Sequence, residues 1–255
     1  MLAGLFQPFC FRQSLRILDR ELGRSRSTAE WLDFVSTFHD RLTAPRRVRR
    51  RFSIAPLQIR SEIIRFVEIV RALEPRRIVE VGTASGGSLF LLARAAAPGA
   101  TLVSVDLPDG PGSPGYAAWR EDLYRAFAGN ERAIELVRAD SHAAPTADRV
   151  RALLGGSPAD VVFIDGDHTH AGVARDYELY APLARPGGLI AFHDIVADHR
   201  TRFGTDTPND SGEVHRFWSE IRGRGEAREI VDDPGQDGFG IGVLVLTKPA
   251  AAAAS

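Results

Sequence analysis

From residue 57 onward the apolar positions of the chain alternate between two periods. A helical spacing runs through Ile59, Ile63, Phe66, Val67 and Val70. Short, nearly continuous apolar runs then predict strands at 77–81, 101–106, 134–139, 160–165 and 189–194, with two more at 227–232 and 240–247. Between them, helical spacing predicts helices at 87–97, 116–128, 146–154, 171–184 and 212–223. Runs such as VVFID and LIAFHD have no polar face, as expected of parallel strands covered on both sides. Strict alternation of strand and helix implies a doubly wound α/β fold with a mostly parallel, seven-stranded sheet. In such sheets ligands bind beyond the carboxyl ends of the strands, so the residues just after each strand are where chemistry is expected.

The first fifty-six residues read differently. Trp31, Leu32, Phe34, Val35, Phe38 and Leu42 recur at helical spacing, Ser27 and Glu30 form a capping-box start, and Pro45 lies just beyond the end. Met1 to Phe11 is apolar but short, contains Gln7 and Pro8, and lacks a basic leader. It is expected to dock as a helix or strand on the body or on a second subunit. Residues 1–56 are therefore taken as a helical appendage, 57–248 as the α/β domain, and the AAAAS end, 249–255, as a disordered tail.

Composition narrows the function. The 255 residues are 44% hydrophobic and 25% charged, as in ordinary globular proteins. A net charge of −1 excludes a globally basic nucleic-acid binder. The balance is uneven: residues 1–60 carry 12 Arg against 5 acidic residues, while 61–255 carry 20 basic against 28 acidic. This predicts pairing within the chain or between subunits, and a homo-oligomer. The cluster Arg46, Arg47, Arg49, Arg50 and Arg51 is read as solvated or paired with acidic helices. A single cysteine, Cys10, excludes an intrachain disulfide and a cysteine-rich metal site and fits a reducing, cytoplasmic setting. No apolar run reaches the length of a membrane span.

The strand ends carry the chemistry. After the first strand, EVGTASGGS supplies Gly82, Gly86 and Gly87 for a tight turn, and a helix start that suits an anion. Ala84 stands where a dinucleotide fingerprint needs its second glycine, which argues against a nicotinamide cofactor. The second strand ends in Asp106, 24 residues after Gly82, placed to accept ribose hydroxyls. Asp140 and Ser141 follow the third strand, where a base would lie. The fourth and fifth strands end in VVFIDGDHTH and LIAFHDI. Were these strands adjacent, Asp165, His193 and Asp194 would converge as a divalent-cation site. Oxygen-rich ligation favours Mg²⁺ or Mn²⁺, and the imidazole admits other metals. His168, three residues past Asp165, is placed to act as general base.

The segment from about 57 to 247 resembles class I S-adenosylmethionine-dependent O-methyltransferases, in particular the metal-dependent bacterial group of macrolide sugar O-methyltransferases and cephalosporin-hydroxylase-like proteins. It is more distantly similar to catechol O-methyltransferase. The resemblance is carried by EVGTASGGS and by residues 163–195. It implies a cofactor cradle of Glu80, Gly82, Thr83, Ser85, Gly86 and Ser88, with Asp106 on the ribose, Asp140 and Ser141 by the adenine, and Asp165 alongside. It implies Mg²⁺ on Asp165 and Asp194, with His193 where relatives often carry a carboxylate. His168 stands where catechol-type enzymes place a lysine, and this chain's only lysine, Lys248, lies at the far end. The expected acceptor is a small hydroxylated molecule, such as a sugar or natural-product moiety. The alternatives are a non-catalytic cofactor-binding protein of the same fold, or a metal-dependent oxygenase.

Two loops are expected to close the site: 109–116, and the long polar loop from 196 to 213, whose His199, Arg200, Arg202 and Asp206 would read the acceptor. Trp119, Trp218 and Phe239 are candidate pocket walls.

Overall fold

A computed structural model describes residues 2–110 and 113–246. The expected tail, Lys248 and the tip of the 109–116 loop lie outside them. Seven strands form one sheet: β1 (Arg77–Val81), β2 (Thr101–Asp106), β3 (Ala133–Arg138), β4 (Ala159–Ile164), β5 (Ala184–His193), β6 (Glu226–Ile230) and β7 (Ile241–Val245). Their spatial order is 3-2-1-4-5-7-6. The first five are parallel; β7 runs antiparallel to β5 and to β6. The order reverses between β1 and β4, which places the topological switch point at their carboxyl ends.

Four expected strands agree with the observed ones within one residue, and the fifth begins earlier. Ala184 already pairs with Ala159, and the ladder resumes at Val161 and Leu189 after a register shift. Pro186, Gly187 and Gly188 form the irregular stretch; the Gly187 amide instead donates to Leu246 at 2.6 Å. Glycine-rich irregularities of this kind interrupt the apolar pattern, so the periodicity begins only at Leu189.

Side chains alternate across the sheet. Val161 and Phe163 enter one core, Val162 and Ile164 the other. The first core lies under α3 (Arg60–Ala72), α4 (Gly87–Ala95) and the N-terminal helices; the second lies under α5 (Ala144–Leu153), α6 (His170–Tyr180) and α7 (Val214–Ile221). The stretch expected as one helix at 116–128 is instead two 3₁₀ turns, Ala118–Arg120 and Ala126–Ala128, around a short α-turn at Glu121–Arg125.

The N-terminal stretch forms α1 (Leu2–Leu22), with Pro8 inside it, and α2 (Thr28–Ser36). The Ser27–Glu30 capping box is present. The expected run to Leu42 breaks after Ser36, where the Thr37 hydroxyl and amide both turn back to the Asp33 carbonyl. Cys10, Leu18, Trp31 and Phe34 share the first core with Phe90 of α4, and Trp31 and Phe34 meet Phe90 at 5.4 and 5.8 Å between ring centroids. Among the described residues, the ion pairs of the first sixty stay within that stretch: Arg26 with Glu21, Arg49 with Asp40, Arg60 with Asp33. No described helix is long and apolar enough to cross a membrane.

Candidate active site

A cleft of about 1050 Å³ opens at the carboxyl ends of β1, β2, β3, β4 and β5. That is ample for a nucleoside-sized ligand with a second small molecule beside it. Its floor is the turn after β1. Gly82 has φ +93°, and a Cβ there would lie 1.9 Å from the Asp165 carbonyl oxygen. Only glycine lets the β1 and β4 ends approach so closely. The Asp165 amide donates to the Val81 carbonyl at 2.8 Å and locks that approach.

Asp106 closes the other side of the turn. Its Oδ2 accepts from the Thr83 and Ala84 amides at 3.0 and 2.7 Å, and its Oδ1 from the Leu107 amide at 2.7 Å. These bonds hold Ala84 at φ +44°, a conformation costly for a residue with a Cβ. Burial raises the Asp106 pKa, and the amides work against that shift. Asp106, Gly82, Asp140, Ser141 and Asp165 line the cleft. Glu80, Thr83, Ser85, Gly86 and Ser88 are not among the residues that line it. Ser85 donates to the Ala55 carbonyl, and Glu80 accepts from the Ser104 hydroxyl at 2.7 Å. Glu80 is buried, its Oε1 has no hydrogen-bond partner, and burial pushes its pKa up to about 8.

The adjacency of β4 and β5 brings the charged residues together. Ile164 pairs with Phe192, so Asp165 and His193 stand one step further along the same ladder. His193 Nδ1 lies 3.2 Å from Asp165 Oδ1 and 3.0 Å from Asp194 Oδ2. Its Nε2 is buried and has no hydrogen-bond partner. Asp194 adopts φ +62°, and Phe239, also at +62°, sets its ring 5.9 Å from that of His193. Strained backbone of this kind is tolerated where neighbours fix it, commonly at functional sites.

His168 approaches from the turn after β4. Its Nε2 lies 3.4 Å from Asp194 Oδ2 and 3.7 Å from Asp165 Oδ1. One donor atom each from Asp165, His168 and Asp194 lies within 4.8 Å of the others. Two carboxylates and an imidazole at that spacing fit a hard or borderline divalent cation. The carboxylates and imidazoles also shift one another's titration. Burial would raise the Asp165 pKa, but His193 and His168 hold it down to about 2. The Asp165 hydrogen bond and the Asp194 charge lift His168 to about 9. Burial works against a charged His193, yet the same carboxylates push it up to about 10.

The 196–213 loop contributes otherwise than expected. Its Pro208, Asn209, Asp210 and Ser211 line the cleft. His199, Arg200, Arg202 and Asp206 do not. Arg200 bonds Asp206 and the Thr207 carbonyl, while Arg202 and His199 bond carbonyls at 234–236. These groups fasten one loop to another. Of the aromatic candidates only Phe239 lines the cleft; Trp218 is buried, and Trp119 packs on Phe52.

Two contributors carried no sequence signal of their own. Gln58, a lone polar residue before α3, bonds Asp165. His142 lines the cleft, and behind it, 3.7 Å away, stands Asp176 of α6, fully buried with neither carboxylate oxygen hydrogen-bonded. Asp176 was readable in part, because it shares a helix face with the buried Val173 and Tyr180.

Residues 79–195 match the family described as a methyltransferase domain. Over 126 residues the chain is 32% identical to the catechol O-methyltransferase of Mycobacterium tuberculosis, covering 49% of this chain and 50% of that one. Among solved structures, the O-methyltransferase from Bacillus cereus in complex with SAH superposes with a TM-score of 0.54 at 20% identity, covering 90% of this chain and 96% of that one. MycE methyltransferase from the mycinamycin biosynthetic pathway, in complex with Mg, SAH and mycinamycin VI, gives 0.52 at 17% identity, covering 89% and 55%. The chain spans half or less of the length of the curated relatives it matches. Strand order 3-2-1-4-5-7-6 around a glycine turn defines the Rossmann-like methyltransferase fold. Within that fold, residues 79–195 carry the methyltransferase-domain match, and the chain is similar to O-methyltransferases.

Proposed function

We propose that the protein transfers a methyl group from S-adenosylmethionine to a hydroxyl of a small molecule, with a divalent cation held by Asp165 and Asp194. The reading rests on one observation above all: two carboxylates and two imidazoles converge beside the glycine turn and Asp106, within a single cleft. S-adenosylmethionine supplies a methyl on a sulfonium, already activated for transfer. A divalent cation supplies charge that lowers the pKa of a neighbouring hydroxyl and orients it. Mg²⁺ suits the oxygen-rich pair, and MycE, a neighbour in fold, was solved with Mg, SAH and mycinamycin VI. The match to a catechol O-methyltransferase supports a hydroxyl as acceptor.

The chain's own residues divide the work. The Gly82 turn, Asp106, Asp140 and Ser141 bind and orient the donor along the strand ends. His168 takes the acceptor proton. Its Nδ1 donates to the Asp210 carbonyl, which leaves Nε2 as the lone-pair atom on the cleft side. The carboxylates that keep a proton on His168 are the ones assigned to the cation, and a cation held there would loosen that proton. His193, with Nδ1 within 3.2 Å of both carboxylates, fixes their orientation.

A second reading is favoured by the spacing of Asp165, His168 and Asp194: His168 is itself a ligand. The two separate in the His168→Ala variant. Loss of Mn²⁺ affinity identifies a ligand; lost turnover with Mn²⁺ affinity kept identifies a base. The parent proposal is tested by transfer of labelled methyl from S-adenosylmethionine to a panel of polyhydroxylated acceptors, with and without chelator. Full activity after stringent metal removal overturns the cation's role. Tight SAH binding with no transfer to any acceptor overturns the catalytic reading.

A further inference from the structure

The chain reaches α3 through a strap, residues 53–58, that crosses the glycine loop. The Ser85 hydroxyl donates to the Ala55 carbonyl at 2.5 Å, and a Cβ on Gly87 would lie 2.3 Å from the Pro56 nitrogen. Arg120 reaches back to the Ser53 carbonyl at 3.1 Å, and Phe52 packs on Trp119 in a tilted arrangement with ring centroids 4.8 Å apart. Fixed at both flanks, the strap points Gln58 into the site. Gln58 Nε2 donates to Asp165 Oδ2 at 2.7 Å, across 107 residues of sequence.

We propose that Gln58 is a positioning residue for the cation-binding carboxylate: it holds Asp165 Oδ2 and so presents Oδ1 toward His168 and Asp194. The inference rests on the cation reading above. Asp165 Oδ1 is the oxygen that faces His193, at 3.2 Å, and His168, at 3.7 Å. An amide N–H on Oδ2 leaves Oδ1 as the oxygen free to turn inward, which favours monodentate ligation in one rotamer. The other end of the amide supports a site role over a folding role. Gln58 Oε1 is buried and has no hydrogen-bond partner. A glutamine buried for packing alone finds partners for both ends; this one is engaged only by Asp165. Partners of metal-ligating groups commonly set affinity by 10–100-fold.

The test titrates Mn²⁺ alone into the 255-residue chain by calorimetry, for the wild type, Gln58→Leu and Gln58→Asn. SAH affinity and the melting temperature of the metal-free protein are measured alongside. Gln58→Leu keeps the volume and removes the donor; Gln58→Asn keeps the donor and withdraws it by one methylene. The expected result is Mn²⁺ affinity weakened roughly 10–100-fold in both, with SAH affinity within about twofold of wild type. A folded Gln58→Leu variant that binds Mn²⁺ like the wild type overturns the assignment. If that variant does not fold, wild-type affinity in Gln58→Asn overturns it equally. A wild-type chain that binds no Mn²⁺ overturns the cation site itself, and this role with it.

Discussion

His168 Nδ1 lies 3.0 Å from the Asp210 carbonyl oxygen, so a loop 42 residues away sets the tautomer of the proposed base. The same loop is clamped on the main chain, with the Glu213 amide donating to the His168 carbonyl at 2.7 Å. Between the two contacts sits Gly212, at φ +55°, where a Cβ would meet the His168 carbonyl oxygen at 2.3 Å. Gly212→Ala should push the loop off the histidine. Misplacement of a reacting group by an ångström costs on the order of 100-fold in rate. Turnover is expected to fall by about that factor, with SAH affinity within twofold of wild type. Unchanged turnover in steady-state assays would show that the tether is dispensable.

Gly82→Ala attacks the floor of the cleft. The new Cβ would overlap the Asp165 carbonyl oxygen, at a φ that L-residues avoid. Strain and overpacking together should lower stability by about 2–5 kcal/mol. Urea unfolding gives the stability and calorimetry gives SAH affinity, which is expected to fall well below the wild-type value. Wild-type values of both would refute the close approach of β1 and β4.

Glu80 and Asp176 make stability depend on pH in a definite direction. Burial lifts Glu80 from 4.5 to about 8, and Asp176 from 3.8 to about 6. The folded chain therefore keeps protons that the unfolded chain releases. Stability is full below the unfolded values and declines as pH rises, from about 4.5 to 8 for Glu80 and from about 4 to 6 for Asp176. Glu80→Gln, which cannot ionise, should gain on the wild type between pH 5 and pH 8. Urea unfolding at both pH values measures the gain, and an equal difference at both would sink the explanation.

The aromatic cluster of Trp31, Phe34 and Phe90 joins the N-terminal helices to the α/β body. Phe34→Ala removes a fully buried ring and should cost about 3–5 kcal/mol. Because the core is shared, unfolding should remain one transition whether followed by tryptophan fluorescence or by far-UV circular dichroism. Two separated transitions would mark the helices as an independent unit.

The strand ends were legible because parallel strands buried on both faces leave polar residues only where the sheet stops. Asp106, Asp165, His193 and Asp194 all stand out against apolar runs for this reason. Gln58 and Asp210 were not legible: each acts across a long stretch of chain, Asp210 through its main chain, which every residue has. Arg200 and Arg202 misled for the converse reason. Polar side chains in a long loop look alike in sequence, whether they face a ligand or the next loop. The early start of β5 was hidden by Pro186, Gly187 and Gly188, which break the period without ending the strand.

Buried Glu62 on α3 accepts from the amides of Asp232 and Gly240 and from Gln236 Nε2, at 3.1, 3.0 and 2.8 Å, across as many as 178 residues. It thereby anchors the turn that carries Phe239 over His193. With Gln58 four residues earlier, one short stretch near the start of the chain supports both the middle and the end of the site. A nascent chain emerging from the ribosome can build β1 to β4 in order, but the cleft lining is complete only when Phe239 has arrived. A fragment truncated before Phe239 lacks that wall of the cleft.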